Sequence, residues 1–247
     1  EGFFISSNLP LGRYNVTATA QGFGTAVREG LNILLNQTFV VELTLNPTVG
    51  ETLTIIANED PINTTNAEIA GRLTTQEIQD KPTLNQTNFL TLAETFTGFQ
   101  ENPTSGQNNP TASSGSSINF NGTGTRGATF QINGVNNDDS SENQNRQGAS
   151  LSTIKEFQVI TNNFTAEFGR GYGAVVLVQT KSGTNDWHGD VYWFHNDSAL
   201  NAKSYFAHGK KPVARRNQFG FTSGFPIFKN KLFAFVSADH TENTGAN

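Results

Sequence analysis

Apolar and polar residues alternate in two stretches near the start of the chain. The apolar positions are Tyr14, Val16, Ala18 and Ala20 in the first stretch and Phe39, Val41, Leu43 and Leu45 in the second. A period of two predicts a half-buried strand in each stretch, and the glycines at positions 12, 22, 24 and 30 predict turns. Two or three strands with one apolar face are too few for an independent core, so we expect residues 1–50 to form the C-terminal part of a β-sandwich.

The pattern changes after Pro47 and Gly50. A β-prone run that predicts a linker strand follows at 51–57: Glu51, Thr52, Leu53, Thr54, Ile55, Ile56 and Ala57. Thr74 and Glu77 have the spacing of a capping box and predict a short helix that Pro82 ends. Apolar residues at positions 89, 92, 93 and 96 have helical spacing and predict a second helix, whereas the Gly-, Ser- and Asn-rich residues 98–127 predict a loop.

Further strands are predicted between positions 128 and 178. Residues 128–135 form a β-prone run that includes an Asn133-Gly134 turn, and residues 154–160 form another. The unbroken apolar run at 175–178 predicts a strand that is buried on both faces. Together with the two short helices, these strands predict a compact α/β unit.

Aromatic residues dominate one face of the C-terminal part of the chain. Phe219, Phe221 and Phe225 alternate with small or polar residues, and we predict hairpin-linked strands at 187–196, 215–225 and 231–240. An aromatic face of this size needs a protein cover or lipid, so these strands fit a membrane β-meander. Candidate interfacial aromatics are Trp187, Tyr192, Trp193 and Tyr205. Three strands cannot close a barrel, so we expect the barrel to continue beyond this chain.

The composition narrows the range of functions. Charged residues make up 15% of the chain, against about 25% in typical soluble domains. The net charge of −5 argues against nucleic acid binding, and we interpret the small basic group as a solvated turn: Lys210, Lys211, Arg215 and Arg216. The chain has no cysteine, which excludes disulfides and thiolate chemistry. No Gly-x-Ser-x-Gly motif is present, so nothing in the sequence supports a serine hydrolase. We expect neither enzymatic activity nor a cofactor.

Several ordered motifs point to one family. Residues 130–135 (FQINGV) resemble a family strand and turn written "fxxDGV", with Asn133 in place of Asp and followed by Gly134 and Val135. Residues 166–169 resemble an "AxYG" turn that ends at Gly169. Residues 173–185 resemble the pattern "GGvvNvvTKSGTN" and include Gly173, Thr180 and Lys181. Residues 216–233 resemble a first barrel hairpin, and residues 2–23 resemble a sandwich pattern of the same family.

These motifs resemble the TonB-dependent outer-membrane receptors, in the Oar-like branch that carries a carboxypeptidase-regulatory-like N-terminal domain. The resemblance implies a mainly β chain with a small α/β plug. The implied domains are the C-terminal part of the sandwich at 1–50, a TonB-box-like segment at 51–57, the plug domain at 58–183, and the first strands of a truncated transmembrane β-barrel at 184–247.

The resemblance also implies a function, a location and partners. The plug gates substrate uptake through a β-barrel in the bacterial outer membrane, with the sandwich and plug on its periplasmic or lumen side. A TonB-type energy-coupling protein captures residues 51–57 by strand addition, which relies on main-chain hydrogen bonds. The other implied partners are outer-membrane lipid and a small or oligomeric substrate, which would meet the loops at 106–127 and 136–147.

Other functions also fit the residues. A secreted β-rich binding module would be soluble without detergent, whereas a surface or adhesion component on the receptor scaffold would lack a working coupling segment. Oxygen-bearing side chains at 133, 136, 137, 138, 139 and 142 suggest a calcium site, but their spacing does not match an EF-hand and a turn explains them better. His188 and His195 lie on opposite faces of a predicted strand, so zinc binding is not expected.

Overall fold

A computed structural model describes residues 2–7, 9–47, 52–56, 67–81, 88–100, 118–124, 126–140, 145–200, 202 and 213–245, with residues 52–56 described by their backbone. The chain divides into two compact units, Glu1–Ala67 and Glu68–Asn247. The strands in chain order are β1 (Gly12–Ala18), β2 (Thr25–Ile33), β3 (Thr52–Ile56), β4 (Ile69–Thr74), β5 (Phe99–Gln100), β6 (Asn119–Phe120), β7 (Ala128–Ile132), β8 (Val135–Asn136), β9 (Ile154–Asn162), β10 (Ala174–Thr180), β11 (His188–Asp197), β12 (Ala214–Phe228) and β13 (Leu232–Gly245).

The first unit contains a three-stranded sheet in the order β1-β2-β3. β1 is antiparallel to β2, and β3 is parallel to β2. Ala26 and Leu31 of the central strand are buried, so the small core of the unit lies along β2. The predicted strand is confirmed for Tyr14, Val16 and Ala18, whereas Ala20 lies beyond the end of β1. The β-prone run at 51–57 contains β3. Glu51 and Ala57 lie outside the described residues.

The predicted strand at 39–45 is wrong. Phe39, Val41, Leu43 and Leu45 are half-buried while the residues between them are exposed, yet this stretch pairs with no described strand. An extended chain that packs one side against the protein shows the same alternation as a paired strand, so the period of two alone does not establish a ladder.

The true neighbour of β1 is β2, which the pattern did not predict. Gly30 lies inside β2 rather than in a turn, with φ of 79° and its N–H bonded to Asn15 Oδ1 at 3.0 Å. The register shifts between Tyr14 and Val16, which marks a β-bulge. A bulge adds a residue to one strand and breaks the alternation of apolar and polar residues, so the sequence pattern did not predict β2.

A five-stranded mixed sheet forms the centre of the second unit. Its order is β4-β9-β10-β7-β8, with β10 parallel to β7 and the other neighbours antiparallel. Val175, Val176, Leu177 and Val178 of β10 are all buried, which confirms the prediction of a strand covered on both faces. The strands predicted at 128–135 and 154–160 are also present, while β4 was not predicted.

Short helices cover one face of this sheet. The capping box is present: helix α1 (Thr75–Asp80) begins after Thr74, whose N–H donates to Glu77 Oε2 at 2.7 Å. Pro82, the predicted end, lies outside the described residues. The second predicted helix is a 3₁₀ helix, Phe89–Thr95, and further 3₁₀ turns span Leu151–Thr153 and Ser198–Leu200. Phe89, Leu92 and Ala93 are fully buried, so this helix closes the core.

The C-terminal strands form an antiparallel meander in the order β11-β12-β13. The three strands contain 10, 15 and 14 residues, as long as or longer than those predicted. Arg215 and Arg216 lie within β12, so the interpretation of their basic group as a turn is wrong for these two residues. Lys210 and Lys211 lie outside the described residues. Within the part that the structure describes, every helix is too short or too polar to span a membrane.

Candidate functional site

One face of the β11-β12-β13 meander is apolar. The register places Val191 and Trp193 of β11 opposite Phe221 and Phe219 of β12, and all four side chains are exposed. Val191, at the middle of the face, is 90% exposed. A soluble globular protein would bury such an apolar face against other residues. Its exposure along three long strands is therefore unusual for a soluble protein.

The apolar face has polar ends. Trp187 extends the face, with its ring centre 5.8 Å from that of Phe225 and its Nε1–H bonded to Ser223 Oγ at 2.8 Å. At the opposite end, Arg215 Nε pairs with Asp197 Oδ2 at 2.6 Å. Aromatic and charged residues thus flank a central apolar band, which is the arrangement of strands that cross a bilayer.

The opposite face of the meander is polar at its centre, although the exposed Phe194 and Phe233 also lie on it. It carries Asp190 and Tyr192 from β11, Gln218 and Thr222 from β12, and Asp239 from β13. Gln218 and Thr222 are buried. The centres of the two faces therefore differ, and we call the apolar one the outer face and the polar one the inner face.

Tyr192 lies on this inner face, so its assignment as an interfacial aromatic is wrong. Its hydroxyl donates to Asp239 Oδ1 and lies 3.0 Å from Ser152 Oγ, whose own hydroxyl can donate to the phenol oxygen. Trp187 and Trp193 do lie on the outer, apolar face. Tyr205, the remaining predicted aromatic, is outside the described residues.

Tyr192, Asp239, Ser150 and Ser152 together form a polar group that we call the Tyr192 cluster. Ser150 Oγ donates to Asp239 Oδ1 at 3.2 Å, and Ser150 and Ser152 share a bond of 3.0 Å. Gly220 lies opposite Tyr192 in the register, and a Cβ there would collide with the phenol ring. The cluster joins the turn before β9 to the inner face of the meander. Sequence reasoning missed it, although the polar positions alternating with Phe219 and Phe221 pointed to an inner face.

The turn between β7 and β8 holds the first group of motif residues. Asn133 and Gly134 have φ of 53° and 76°, as a two-residue type I′ hairpin requires, so the predicted Asn-Gly turn is confirmed. Asn133 Oδ1 accepts from the Thr180 N–H at 2.9 Å, and its Nδ2 donates to Thr180 Oγ1 at 2.9 Å. The structure thus brings Asn133 and Thr180 together, while Val135 points outward and is exposed.

The two motif glycines differ in their surroundings. Gly173 is buried, donates its N–H to the Gly127 carbonyl at 2.8 Å, and has no room for a Cβ because Thr123 lies against it. Gly169 is exposed, and a Cβ there would meet only the Ala166 carbonyl, at 3.8 Å. Close packing explains the glycine at 173, and nothing in the structure explains the one at 169.

Lys181 and Gly183 form a second connection to the meander. The Lys181 N–H donates to the Thr153 carbonyl at 2.7 Å, and its Nζ lies 3.8 Å from Asp190 Oδ2 on the inner face. Burial lowers the pKa of Lys181, and the Asp190 carboxylate partly opposes that shift. Gly183 packs directly against the backbone of β12 and β13, so a side chain at this position would separate the loop from the meander.

The metal alternatives find no support in the described residues. Asp138 is buried and accepts bonds from Thr129 Oγ1 and the Phe130 N–H, both at 2.6 Å, while Asn136 Oδ1 accepts from the Asp138 N–H. These bonds belong to a folded turn, in agreement with the preferred interpretation. In the ranges that the structure describes, no three His, Asp or Glu side chains converge as metal ligands.

Comparison with known proteins agrees with this geometry. A family model described as an outer membrane beta barrel domain matches residues 179–247. The TonB-dependent transporter Oar of Myxococcus xanthus is 24% identical over 244 residues, which is 96% of this chain and 22% of the relative. The crystal structure of the siderophore receptor PirA from Acinetobacter baumannii superposes with a TM-score of 0.50 and 17% identity, covering 70% of this chain and 24% of that one.

The match to PirA shows the fold, and the match to Oar extends the likeness over nearly the whole chain. Both relatives are described as a transporter or a receptor rather than as an enzyme, in agreement with the expectation of no enzymatic activity. The chain spans 22% of the length of its curated relative. The chain is therefore similar in sequence to the TonB-dependent transporter Oar and similar in fold to an outer-membrane siderophore receptor.

Proposed function

We propose that this chain is part of a TonB-dependent transporter in which a plug gates substrate uptake through an outer-membrane β-barrel. Residues 58–183 act as the plug and residues 184–247 as the first strands of the barrel wall. Residues 1–50 are the end of a carboxypeptidase-regulatory-like sandwich on the periplasmic side. The two-faced meander carries this proposal, because an apolar outer face and a polar inner face suit a strand between lipid and a filled lumen.

The contacts inside the second unit support the assignment of the plug. The Tyr192 cluster and the Lys181–Asp190 pair both join the mixed sheet to the inner face of the meander. Polar contacts of this kind can be exchanged for water at modest cost, unlike a packed apolar interface. A polar boundary with the barrel wall would therefore let the plug move at a lower free-energy cost than an apolar boundary would.

Residues 51–57 supply the proposed coupling to an energy source. Their partner is a TonB-type energy-coupling protein, which captures the segment by strand addition and pulls on it. The extended backbone of β3 supports this role, because strand addition requires an extended segment whose N–H and C=O groups can form a ladder. Tension on the segment would then pass through residues 58–67 to β4, the edge strand of the mixed sheet.

Binding of the chain to the purified C-terminal domain of a TonB-type protein tests the proposal. We expect Leu53→Pro to abolish binding because proline removes a ladder donor, whereas Leu53→Ala keeps the main-chain N–H and retains binding. If neither the parent chain nor Leu53→Ala binds, the coupling role is refuted, and a surface or adhesion role on the same scaffold becomes the better explanation.

A further inference from the structure

The proposed coupling segment is already paired within the first unit. β3 forms a parallel ladder with β2 over five residue pairs, from Thr25 with Thr52 to Glu29 with Ile56. β2 is the central strand of that sheet and contributes its buried residues, Ala26 and Leu31. The segment is therefore an edge strand of a folded sheet rather than a free extension.

A hydrogen bond between Gly24 and Asn46 helps to place β3 beside β2. Parallel neighbours require a crossover connection of about a dozen residues or more, and here it runs between Ile33 and Thr52. Within it, the Asn46 carbonyl accepts a hydrogen bond from the Gly24 N–H at 2.9 Å. Gly24 precedes Thr25, where the pairing with Thr52 begins, so this bond returns the chain to the start of β2.

Pairing with β2 competes with capture by a partner. Strand addition uses main-chain N–H and C=O groups, and in a ladder those of alternate residues point to the neighbouring strand. β2 therefore occupies part of the groups that a partner strand needs. A partner that pulls on the segment must in addition detach it from the folded sheet.

We infer that the sheet of the first unit sequesters residues 52–56, and that release of β3 from β2 precedes capture by the energy-coupling protein. This inference rests on the proposed function and gives the N-terminal unit a regulatory role. The apparent dissociation constant of the partner equals the intrinsic constant divided by the fraction of chains whose segment is released. Any change that loosens the β2–β3 pairing strengthens coupling.

A disulfide lock makes the pairing controllable. Val27 and Thr54 are registered partners, and the Cα atoms of such pairs lie about 5 Å apart, within the range that a disulfide bridges. The chain has no cysteine, so Val27→Cys with Thr54→Cys allows a single intramolecular bridge. The matched control is Thr17→Cys with Val27→Cys, which ties β1 to β2 and leaves β3 untied.

Both double variants of the full chain are measured for binding to the C-terminal domain of a TonB-type protein, before and after reduction. We expect the oxidised lock to bind about 10-fold more weakly than its reduced form, or worse, and the control to bind equally in both forms. Equal or tighter binding by the oxidised lock would overturn the inference, because the partner would then be adding to the outer edge of β3.

A synthetic peptide of residues 48–60 separates this inference from the proposed function. If the peptide binds and the lock has no effect, sequestration is wrong while the coupling role stands. If the peptide itself does not bind, the coupling role fails and sequestration fails with it.

Discussion

Asn133 connects two strands through one side chain. Its amide accepts from the Thr180 main chain and donates to the Thr180 hydroxyl, while its own backbone adopts a positive φ that asparagine tolerates well. An aspartate could accept from both Thr180 groups if the hydroxyl turned to donate. An aspartate at position 133, as in the family pattern, could therefore make the same connection.

We predict that Asn133→Asp changes the free energy of unfolding by less than about 0.5 kcal/mol, because both hydrogen bonds have an acceptor. Asn133→Ala should cost about 1–2 kcal/mol, since it removes the bonds and replaces asparagine by a residue that tolerates a positive φ less well. Thermal unfolding of the detergent-solubilised chain measures both. Equal stability of the two variants would show that the Thr180 connection contributes nothing.

The two motif glycines offer a matched test of close packing. Gly173→Ala should cost about 1–3 kcal/mol of stability, because the added methyl group meets Thr123 in a buried site. Gly169→Ala should stay within about 0.5 kcal/mol, because the space around it is open. The same unfolding measurement compares them, and a Gly169→Ala variant as damaged as Gly173→Ala would contradict this account.

At the scale of the element, α1 depends on the charge of Glu77. Hydrogen bonds from the Thr74 backbone and side chain lower the pKa of Glu77 below its ordinary value of 4.5. A carboxyl with a lowered folded-state pKa adds stability that is complete above the ordinary value and is lost as the pH falls through the lowered value.

We therefore predict that protection of the α1 amides from hydrogen exchange, corrected for intrinsic exchange, falls when the pH drops below 4.5. Glu77→Gln should largely remove that pH dependence, because its neutral side chain still accepts a hydrogen bond from the Thr74 N–H. An unchanged pH dependence in Glu77→Gln would show that other carboxyls control this helix.

Sequence patterns predicted best those strands whose burial follows directly from the order of apolar and polar residues. β10 is an unbroken apolar run because both its faces are covered. In β12 aromatic residues alternate with polar or small residues because its two faces differ. β2 was missed because a bulge at Gly30 interrupts its alternation, and 39–45 was wrongly assigned because half-burial without pairing produces the same pattern. The Tyr192 cluster could not be predicted, since its members come from three separate elements.

Neighbouring residues of β13 test the two faces of the meander. Val236 lies on the apolar face and Ser237 on the polar face, and both are exposed. Val236→Arg should cost about 2–4 kcal/mol of membrane insertion, whereas Ser237→Arg should have little effect. The fraction of protein that folds into outer-membrane vesicles measures the difference. Equal tolerance of both arginines would favour a soluble binding module.

At the scale of the whole molecule, the second unit combines a mixed sheet with a meander whose polar side faces it. The first unit is a separate three-stranded sheet that contains the proposed coupling segment. In the proposed function each unit has one task, with control of coupling in the first unit and gating in the second. The likeness to Oar covers both units and is not confined to the meander.

The central claim is that β12 lies between lipid and a protein-filled lumen. Because the chain has no cysteine, single cysteines at 217–219, 221–223 and 225 can carry spin labels, and their accessibility to oxygen can be measured in outer-membrane vesicles. We predict a period of two, with high oxygen accessibility at 219, 221 and 225 and low accessibility at 218 and 222. Labels at the odd positions that meet only water-soluble reagents would contradict the claim and exclude a membrane strand.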